Sequence, residues 1–188
     1  MKIAITGTIG SGKTTVSDYI RSKGYYVFDA DKVNSKLLEK GNLGYVEVKK
    51  EFKEAFDNDE LNKSKLASIV FRDIDLKKKL ENIMHPLILK EMLEESKKHS
   101  IFFAEIPLLF ESNWDLYFDY SFLVVCDKQK AVDRLILRGL SKEESSLRIN
   151  SQYDEEVKKK RATEIIYNNS NLNDLYIEVD RLLDKYVR

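Results

Sequence analysis

Short apolar runs alternate with helical patterns along the chain. Five of these runs contain many β-branched and aromatic residues, the types that favour strands. They comprise residues 2–6, 25–28, 101–106, 121–126 and 164–167. Strands separated by helices predict a parallel sheet with helices on both faces. We therefore expect an α/β fold in which a five-stranded parallel sheet is the middle layer of a three-layer sandwich.

The first helix has the clearest pattern. Val16, Tyr19 and Ile20 form an apolar stripe at helical spacing, directly after a glycine-rich segment. Gly24 stands where a glycine commonly ends a helix. The pattern therefore predicts a helix that runs to about Lys23.

The alternation changes in the middle of the chain. Residues 32–99 contain helical patterns and many charges but no convincing strand. With seven Gly and two Pro in 188 residues, no stretch resembles a flexible linker. We expect one domain whose core comprises residues 1–31, 100–127 and 162–188, with a helical insertion packed on it.

Residues 128–161 form a second polar stretch with helical patterns. It contains Arg134, Arg138, Arg148 and Arg161. Its position fits a mobile lid over a bound nucleotide. A pair of solvated amphipathic helices would show the same charge pattern, so both interpretations stay open.

Charge and composition limit the cellular location and the binding partners that we expect for this protein. The chain contains 32 basic and 32 acidic residues, so no net positive charge favours nucleic acid or an anionic membrane. No apolar run approaches the roughly 20 residues of a membrane-spanning helix. The single Cys126 cannot form an internal disulfide, and the N-terminus begins with a strand-like run rather than a signal peptide. We expect a cytoplasmic protein that binds neither nucleic acid nor membranes.

The segment from Gly7 to Thr14 matches Gly-x-x-x-x-Gly-Lys-Thr, the motif of a phosphate-binding loop. It follows a predicted strand and opens a predicted helix, which is the context that the motif requires. In such a loop, backbone N–H groups surround the phosphates of a nucleoside triphosphate. Lys13 would contact the β- and γ-phosphates, and the Thr14 hydroxyl would help to bind Mg²⁺. An ordinary glycine-rich turn is the alternative, which the Lys-Thr pair at the helix start disfavours.

The motifs of a GTPase switch are missing. No Asp stands three residues before any of the seven glycines, and the only Asn-Lys pair, at Asn62, is followed by Ser rather than by x-Asp. A kinase for a small molecule is therefore favoured, with nucleosides and nucleoside monophosphates among the candidate acceptors. A binding module whose lid is ordered by nucleotide is the alternative from another class.

Two carboxylates end the second predicted strand. Asp29 and Asp31 alternate along extended chain, so only one is expected to face the phosphates. A kinase needs a carboxylate that accepts the proton of the acceptor hydroxyl, and Asp31 is our candidate. The residues alone leave open a second role, in which Asp31 caps a helix that starts near Lys32.

Neither histidine suggests chemistry by itself. His85 precedes Pro86 in the helical insertion, where the proline is expected to kink or restart a helix and to hold His85 in an extended or turn conformation. His99 lies in a polar run. No set of His, Cys, Asp and Glu has metal-ligand spacing, so the only metal expected is Mg²⁺ that arrives with ATP.

In combination, these segments resemble the dephospho-coenzyme A kinase family over essentially the whole chain. The matching segments are the phosphate loop, Asp29-Ala30-Asp31, His85-Pro86, Ile106-Pro-Leu-Leu-Phe-Glu111, Arg134 with Arg138, Arg148-Ile-Asn-Ser-Gln152 and Asn168-Asn169. The resemblance implies transfer of the ATP γ-phosphate to the ribose 3′-hydroxyl of dephospho-coenzyme A, which is the last step of coenzyme A synthesis. It also implies a P-loop NTPase-like core, a helical insertion that binds the acceptor, a lid, and a monomer or small homo-oligomer.

The same resemblance assigns roles to individual residues. The catalytic residues would be Asp31 as base, Lys13 and Arg138. ATP would be bound by Gly10, Ser11, Gly12, Lys13, Thr14, Thr15, Arg134 and Asn169. The acceptor pocket would be lined by His85, Pro107, Leu108, Leu109 and Glu111. One departure concerns Thr163, which stands where the family often has Asp.

Overall fold

A computed structural model describes residues 1–187 of the chain. They form two compact units. One comprises Met1–Asp29 together with the chain from His99 onwards, and the other comprises Ala30–Lys98. In chain order, the elements are β1 (Lys2–Gly7), α1 (Lys13–Ser22), β2 (Val27–Asp29), α2 (Ala30–Leu37), α3 (Leu43–Glu51), β3 (Phe56–Asp57), β4 (Glu60–Leu61), α4 (Lys63–Arg72), α5 (Ile74–Ser96), β5 (Phe102–Glu105), β6 (Tyr120–Val125), α6 (Lys128–Leu137), α7 (Lys142–Asn150), α8 (Glu155–Arg161), β7 (Glu164–Tyr167) and α9 (Leu172–Tyr186).

The first unit is built on a five-stranded sheet in the order β2-β5-β1-β6-β7. All of its strand pairs are parallel, which confirms the predicted sheet. β1 lies in the centre, between β5 and β6. Because parallel strands place their carboxyl ends at one edge, the loops that follow β1, β5 and β6 lie side by side at that edge.

Both faces of the sheet are covered. Ile3, Ala4 and Ile5 point alternately to opposite faces, and all three are fully buried. Val16 and Ile20 of the stripe predicted for α1 belong to an apolar cluster that α1 and α9 supply on the face of Ile3 and Ile5. Its members are Val16, Ile20, Leu175, Val179, Leu182 and Leu183. The first helix ends at Ser22, one residue before the predicted end.

The second unit is mainly helical, with α2, α3 and α4 all packed on α5. The expectation of no strand in this region is wrong, because β3 and β4 form a small antiparallel hairpin. Its turn residues, Asn58 and Asp59, have φ values of 46° and 71°, and Asn and Asp tolerate this left-handed region better than most residues. Each strand is only two residues long, too short for a recognisable alternation.

The longest helix, α5, continues through Pro86. The expected restart at the proline is therefore wrong, and His85 is helical rather than extended. Proline removes one backbone N–H from the helix, and packing of α2, α3 and α4 on α5 offsets that loss. Among the described residues, no helix is both long enough and apolar enough to cross a membrane.

Candidate nucleotide site

The phosphate loop connects β1 to α1 in a conformation that requires glycine at Gly12. The φ of Gly12 is 102°, and a Cβ at this position would collide with the side-chain amide of Asn168. That amide donates to the carbonyl oxygen of Ser11 at 2.8 Å. Asn168 is buried directly after β7, so the far strand of the sheet helps to hold the loop.

Lys13 occupies the first position of α1, and its ammonium group lies against the loop. Lys13 Nζ donates to the carbonyl oxygens of Gly7 at 2.8 Å and Thr8 at 3.2 Å. Only 9% of Lys13 is exposed, so its position is set by packing. The charge is thereby held over the loop, where the β- and γ-phosphates of a nucleotide would lie.

Next to Lys13, Thr14 contacts a carboxylate that sequence analysis missed. Thr14 Oγ1 donates to Glu105 Oε1 at 2.9 Å. Glu105 ends β5 and is only 7% exposed, and its Oε2 has no hydrogen-bond partner. In the sequence, Glu105 stands out only as an acidic residue inside an apolar strand. The pairing of β1 with β5 is what places Glu105 beside the phosphate loop.

Arg134 projects from α6 onto the loop from the other side. Its Nη1 donates to the carbonyl oxygens of Gly10 and Ser11, each at 3.1 Å, and its Nη2 donates to that of Asn168 at 3.3 Å. Arg138 lies one turn later, where α6 ends, with an exposed side chain. The environments of these two arginines therefore differ: Arg134 contacts the loop, whereas Arg138 faces solvent.

A cavity of about 510 Å³ adjoins the phosphate loop, a volume suited to a nucleotide. Its lining combines loop residues, the ends of β6 and β7, and the α7–α8 connection. Among the lining residues are Thr8, Ser11, Ala131, Gln152, Tyr167 and Asn169. Asn169 exchanges two hydrogen bonds with Asp127, at 2.7 and 2.9 Å, so the ends of β6 and β7 are held together there.

Cys126 also lines this cavity. Burial raises the pKa of its thiol above the ordinary value, which disfavours the reactive thiolate. At neutral pH, Cys126 is therefore held as the less reactive thiol.

The segment after β5 that resembles the family's acceptor segment is partly buried. Leu109 is fully buried, whereas Pro107 and Leu108 retain exposed surface. Glu111 Oε1 accepts a hydrogen bond from the N–H of Tyr153 at 3.0 Å and lies 2.9 Å from Nζ of Lys158. Glu111 is thus tied to the α7–α8 connection and to α8.

Asp31 and His85 lie in the second unit. Asp31 is the second residue of α2 and is exposed. The helix begins at Ala30, so the alternative in which Asp31 caps a helix starting near Lys32 is wrong. His85 is half-buried within α5, and burial lowers the pKa of its imidazole. His85 is therefore predominantly neutral at neutral pH.

Thr163 stands where the family that this sequence resembles often has Asp, and the structure shows what it contacts. Thr163 Oγ1 accepts from the N–H of Ser121 at 3.0 Å, and its own N–H donates to Ser121 Oγ at 3.1 Å. Thr163 thereby connects the beginnings of β6 and β7. It performs this structural role without a carboxylate.

Comparison with known proteins gives one consistent family. The family model described as CoaE, dephospho-CoA kinase, matches residues 1–174. A dephospho-CoA kinase from Fusobacterium nucleatum is 36% identical over 98% of this chain and 97% of its own. A solved Thermus thermophilus protein superposes with a TM-score of 0.89 at 37% identity, covering 100% of this chain and 98% of its own. A dephospho-CoA kinase from Campylobacter jejuni superposes with a TM-score of 0.71 at 30% identity, covering 98% and 97%.

Proposed function

The chain belongs to the dephospho-CoA kinase family, and we propose that it transfers the γ-phosphoryl group of ATP to the ribose 3′-hydroxyl of dephospho-coenzyme A. The products are coenzyme A and ADP, and the reaction is the last step of coenzyme A synthesis. The observation that carries the proposal is the braced phosphate loop with Lys13 over it, beside a cavity of about 510 Å³.

On the ATP side, the phosphates occupy the loop and the nucleoside occupies the cavity. The loop residues that bind phosphate are Gly10, Ser11, Gly12, Lys13, Thr14 and Thr15. The positive end of α1 and the ammonium group of Lys13 stabilise negative charge there. Arg134, whose guanidinium group lies against the loop carbonyl oxygens of Gly10 and Ser11, adds positive charge for binding the ATP phosphates. Asn169 lines the nucleoside side of the site.

The donor set beside the loop fits Mg²⁺. Thr14 and Glu105 offer a hydroxyl and a carboxylate, which are the hard oxygen ligands that this ion prefers, and Glu105 Oε2 is buried without a hydrogen-bond partner. No group of three or more metal-binding side chains occurs within residues 1–187, so phosphate oxygens would complete the coordination. Bound there, Mg²⁺ would neutralise charge on the β- and γ-phosphates.

On the acceptor side, Asp31 accepts the proton of the 3′-hydroxyl as that oxygen attacks the γ-phosphorus. The acceptor pocket is lined by His85, Pro107, Leu108, Leu109 and Glu111. Of these, Leu109 acts through packing because its side chain is buried. Arg138 approaches when the lid of residues 128–161 closes, and it supplies positive charge to the phosphoryl group during transfer.

The rest of the proposal, on the acceptor-binding unit, the location and the oligomeric state, is based on the sequence. The helical unit Ala30–Lys98 binds the acceptor. The enzyme acts in the cytoplasm as a monomer or small homo-oligomer. Its equal numbers of basic and acidic residues favour small-molecule substrates over nucleic acid.

The direct test is an assay of the purified protein with ATP, Mg²⁺ and dephospho-coenzyme A that follows both ADP and coenzyme A. Formation of the two products in equal amounts is expected. Nucleosides and nucleoside monophosphates serve as competing acceptors, because a preference for one of them would identify a different kinase. Tight ATP binding by folded protein with no dependence on any acceptor would contradict the proposal and favour a binding module.

A further inference from the structure

Two consecutive residues of the α7–α8 connection contact two different loops. Gln152 Oε1 accepts a hydrogen bond from the backbone N–H of Ile9, in the phosphate loop, at 2.9 Å. The backbone N–H of Tyr153 donates to Glu111 Oε1 at 3.0 Å. The connection therefore joins the loop that holds ATP to the segment proposed to line the acceptor pocket.

This connection, residues 151–154, has little slack because each end is tied to its helix. The backbone N–H groups of Ser151 and Gln152 donate to the carbonyl oxygens of Leu147 and Ile149, at 3.0 and 3.3 Å, in the last turn of α7. Asp154 Oδ1 accepts from the N–H of Glu156 at 2.8 Å and caps α8. A displacement of Gln152 is therefore passed to Tyr153 rather than absorbed by a flexible loop.

The connection is also a wall of the nucleotide cavity. Gln152, Tyr153 and Asp154 line the cavity together with Thr8 and Ser11 of the phosphate loop. A nucleotide bound in the cavity would therefore contact both the loop and the connection and would restrict their relative movement. The hydrogen bond from Ile9 to Gln152 fixes the same relative position from within the protein.

The contacts from Ile9 through Gln152 and Tyr153 to Glu111 form a bridge between the two loops. At its far end, Glu111 is held by two groups of the lid region. Its Oε1 accepts from the N–H of Tyr153 and lies 2.9 Å from Nζ of the fully buried Lys158. Both partners of Glu111 belong to the polypeptide that follows α7. The position of residues 107–111 thus depends on the position of the connection.

We propose that Gln152 is a positioning residue that couples the two substrates. Nucleotide in the cavity orders the connection, and Tyr153 passes that order through Glu111 to residues 107–111. ATP then strengthens the binding of the acceptor, and by linkage the acceptor strengthens ATP binding by the same factor. The identity of the acceptor rests on the proposed function, whereas the path from Gln152 to Glu111 does not.

The chain contains its own reporter for this path. Trp114 is the only tryptophan, and its backbone N–H donates to the carbonyl oxygen of Leu109 at 2.9 Å. Trp114 is 7% exposed, so its emission is sensitive to small changes in the packing of residues 107–111. ATP binding can therefore be detected at the acceptor segment without any acceptor present.

The test compares Gln152→Met with Ser151→Ala. Methionine keeps the length of the side chain but places a methyl group where Gln152 Oε1 accepts the hydrogen bond of Ile9. Ser151→Ala removes only the hydroxyl bond to the Arg148 carbonyl oxygen, at 2.9 Å, and keeps the backbone bonds that tie the connection to α7. Two quantities are measured: the change in Trp114 emission on adding a non-hydrolysable ATP analogue with Mg²⁺, and the dissociation constant of dephospho-coenzyme A with and without that analogue.

In the wild type and in Ser151→Ala, we expect an emission change and a tighter acceptor complex, by a factor of about 5–150. In Gln152→Met, we expect analogue binding to persist while the emission change is lost and the factor falls to about one. Gln152→Glu retains an acceptor oxygen and is expected to restore the emission change at saturating analogue. This rescue separates positioning from a general loss of stability.

An unchanged emission response in Gln152→Met would overturn the inference, as would a wild-type factor of one. An emission change that depends on Gln152, combined with no binding of dephospho-coenzyme A, would support the coupling path and overturn the proposed function. The two failures are therefore distinguishable.

Discussion

Glu105 and Thr14 connect the ends of two neighbouring strands through one hydrogen bond of 2.9 Å. Thr14 follows β1 by way of the phosphate loop, and Glu105 ends β5. The second carboxylate oxygen of Glu105 is buried without a hydrogen-bond partner. A buried carboxylate oxygen in this state is expected to gain a partner when the site is filled.

Glu105→Gln tests whether that partner is Mg²⁺. The amide oxygen can still accept from Thr14, but the negative charge that attracts the ion is lost. We expect the Mg²⁺ concentration for half-maximal activity to rise and kcat at saturating Mg²⁺ to fall less. Glu164→Gln, at the outer strand β7, is the matched control and should leave the Mg²⁺ dependence unchanged. An unchanged Mg²⁺ dependence in Glu105→Gln would argue against the assignment.

Asp31→Asn tests the catalytic base. The amide keeps the size of the side chain but cannot accept the substrate proton, so kcat should fall by about 10²–10⁴ while the dissociation constant of ATP stays unchanged. Because Asp31 lies in the first turn of α2, its charge also stabilises that helix end by about 0.3–1 kcal/mol. Turnover and urea unfolding are measured together, with Asp29→Asn as the comparison. If Asp31→Asn lost stability but kept full specific activity, Asp31 would only stabilise the start of α2 and would not be the catalytic base.

Gly12→Ala tests the close approach of the phosphate loop to Asn168. The new Cβ would collide with the Asn168 amide in addition to the strain of φ 102°. Gly24 is the matched control, since its φ is 91° with open space around the Cβ position. Gly24→Ala should lower the free energy of unfolding by about 1–2 kcal/mol and leave ATP affinity intact. Gly12→Ala should lose ATP affinity, as measured by calorimetry; equal affinities in the two variants would contradict the packing argument.

The ion pair of Glu111 and Lys158 predicts a large effect on stability. Glu111→Gln leaves the ammonium group of a fully buried lysine without its carboxylate, which should lower the free energy of unfolding by about 3–5 kcal/mol. Adding Lys158→Met should recover most of that loss, because no charge remains buried. Glu156→Gln, which breaks an exposed pair on the same helix, should change stability by less than about 1 kcal/mol. The free energies of unfolding are measured in urea. Equal losses in Glu111→Gln and Glu156→Gln would contradict a buried ion pair.

The lowered pKa of His85 predicts a pH dependence with a defined sign. Burial disfavours protonation of His85 in the native state, whereas His85 in the unfolded chain is protonated below about pH 6.5. The unfolded state therefore binds more protons, and stability is lost as the pH falls from about 7 towards 5. His85→Gln should flatten this part of the profile, measured as the free energy of unfolding at several pH values. A steeper fall in the variant would show that the sign is wrong.

Local pattern predicted most of the first unit. The five apolar runs became the five strands of the sheet, and the loop motif and first helix lie where they were expected, because each depends on residues close together in sequence. The hairpin of β3 and β4 was missed because two-residue strands show no alternation. The continuity of α5 through Pro86 was missed because packing outweighs the local preference of proline.

The candidate site was harder to predict where its contacts span long distances in sequence. Glu105 meets Thr14 from 91 residues away, and Gln152 meets Ile9 from 143 residues away. Neither pairing leaves a periodic signal, because each depends on strand order and on how helices fold over the sheet. The roles of Asp31 and His85 stay predictions that the proposed experiments test.

The strand order also dictates when a newly synthesised chain can acquire its nucleotide site. Of these strands β1 emerges first, but it pairs only with β5 and β6, which begin at Phe102 and Tyr120. Closing such a long loop precedes any gain from strand pairing, so formation of the central strand is slow and late. A nascent chain that ends before Phe102 carries the complete phosphate-loop motif without a partner strand for β1. During translation, ATP can therefore stabilise this protein only after most of the chain has left the ribosome.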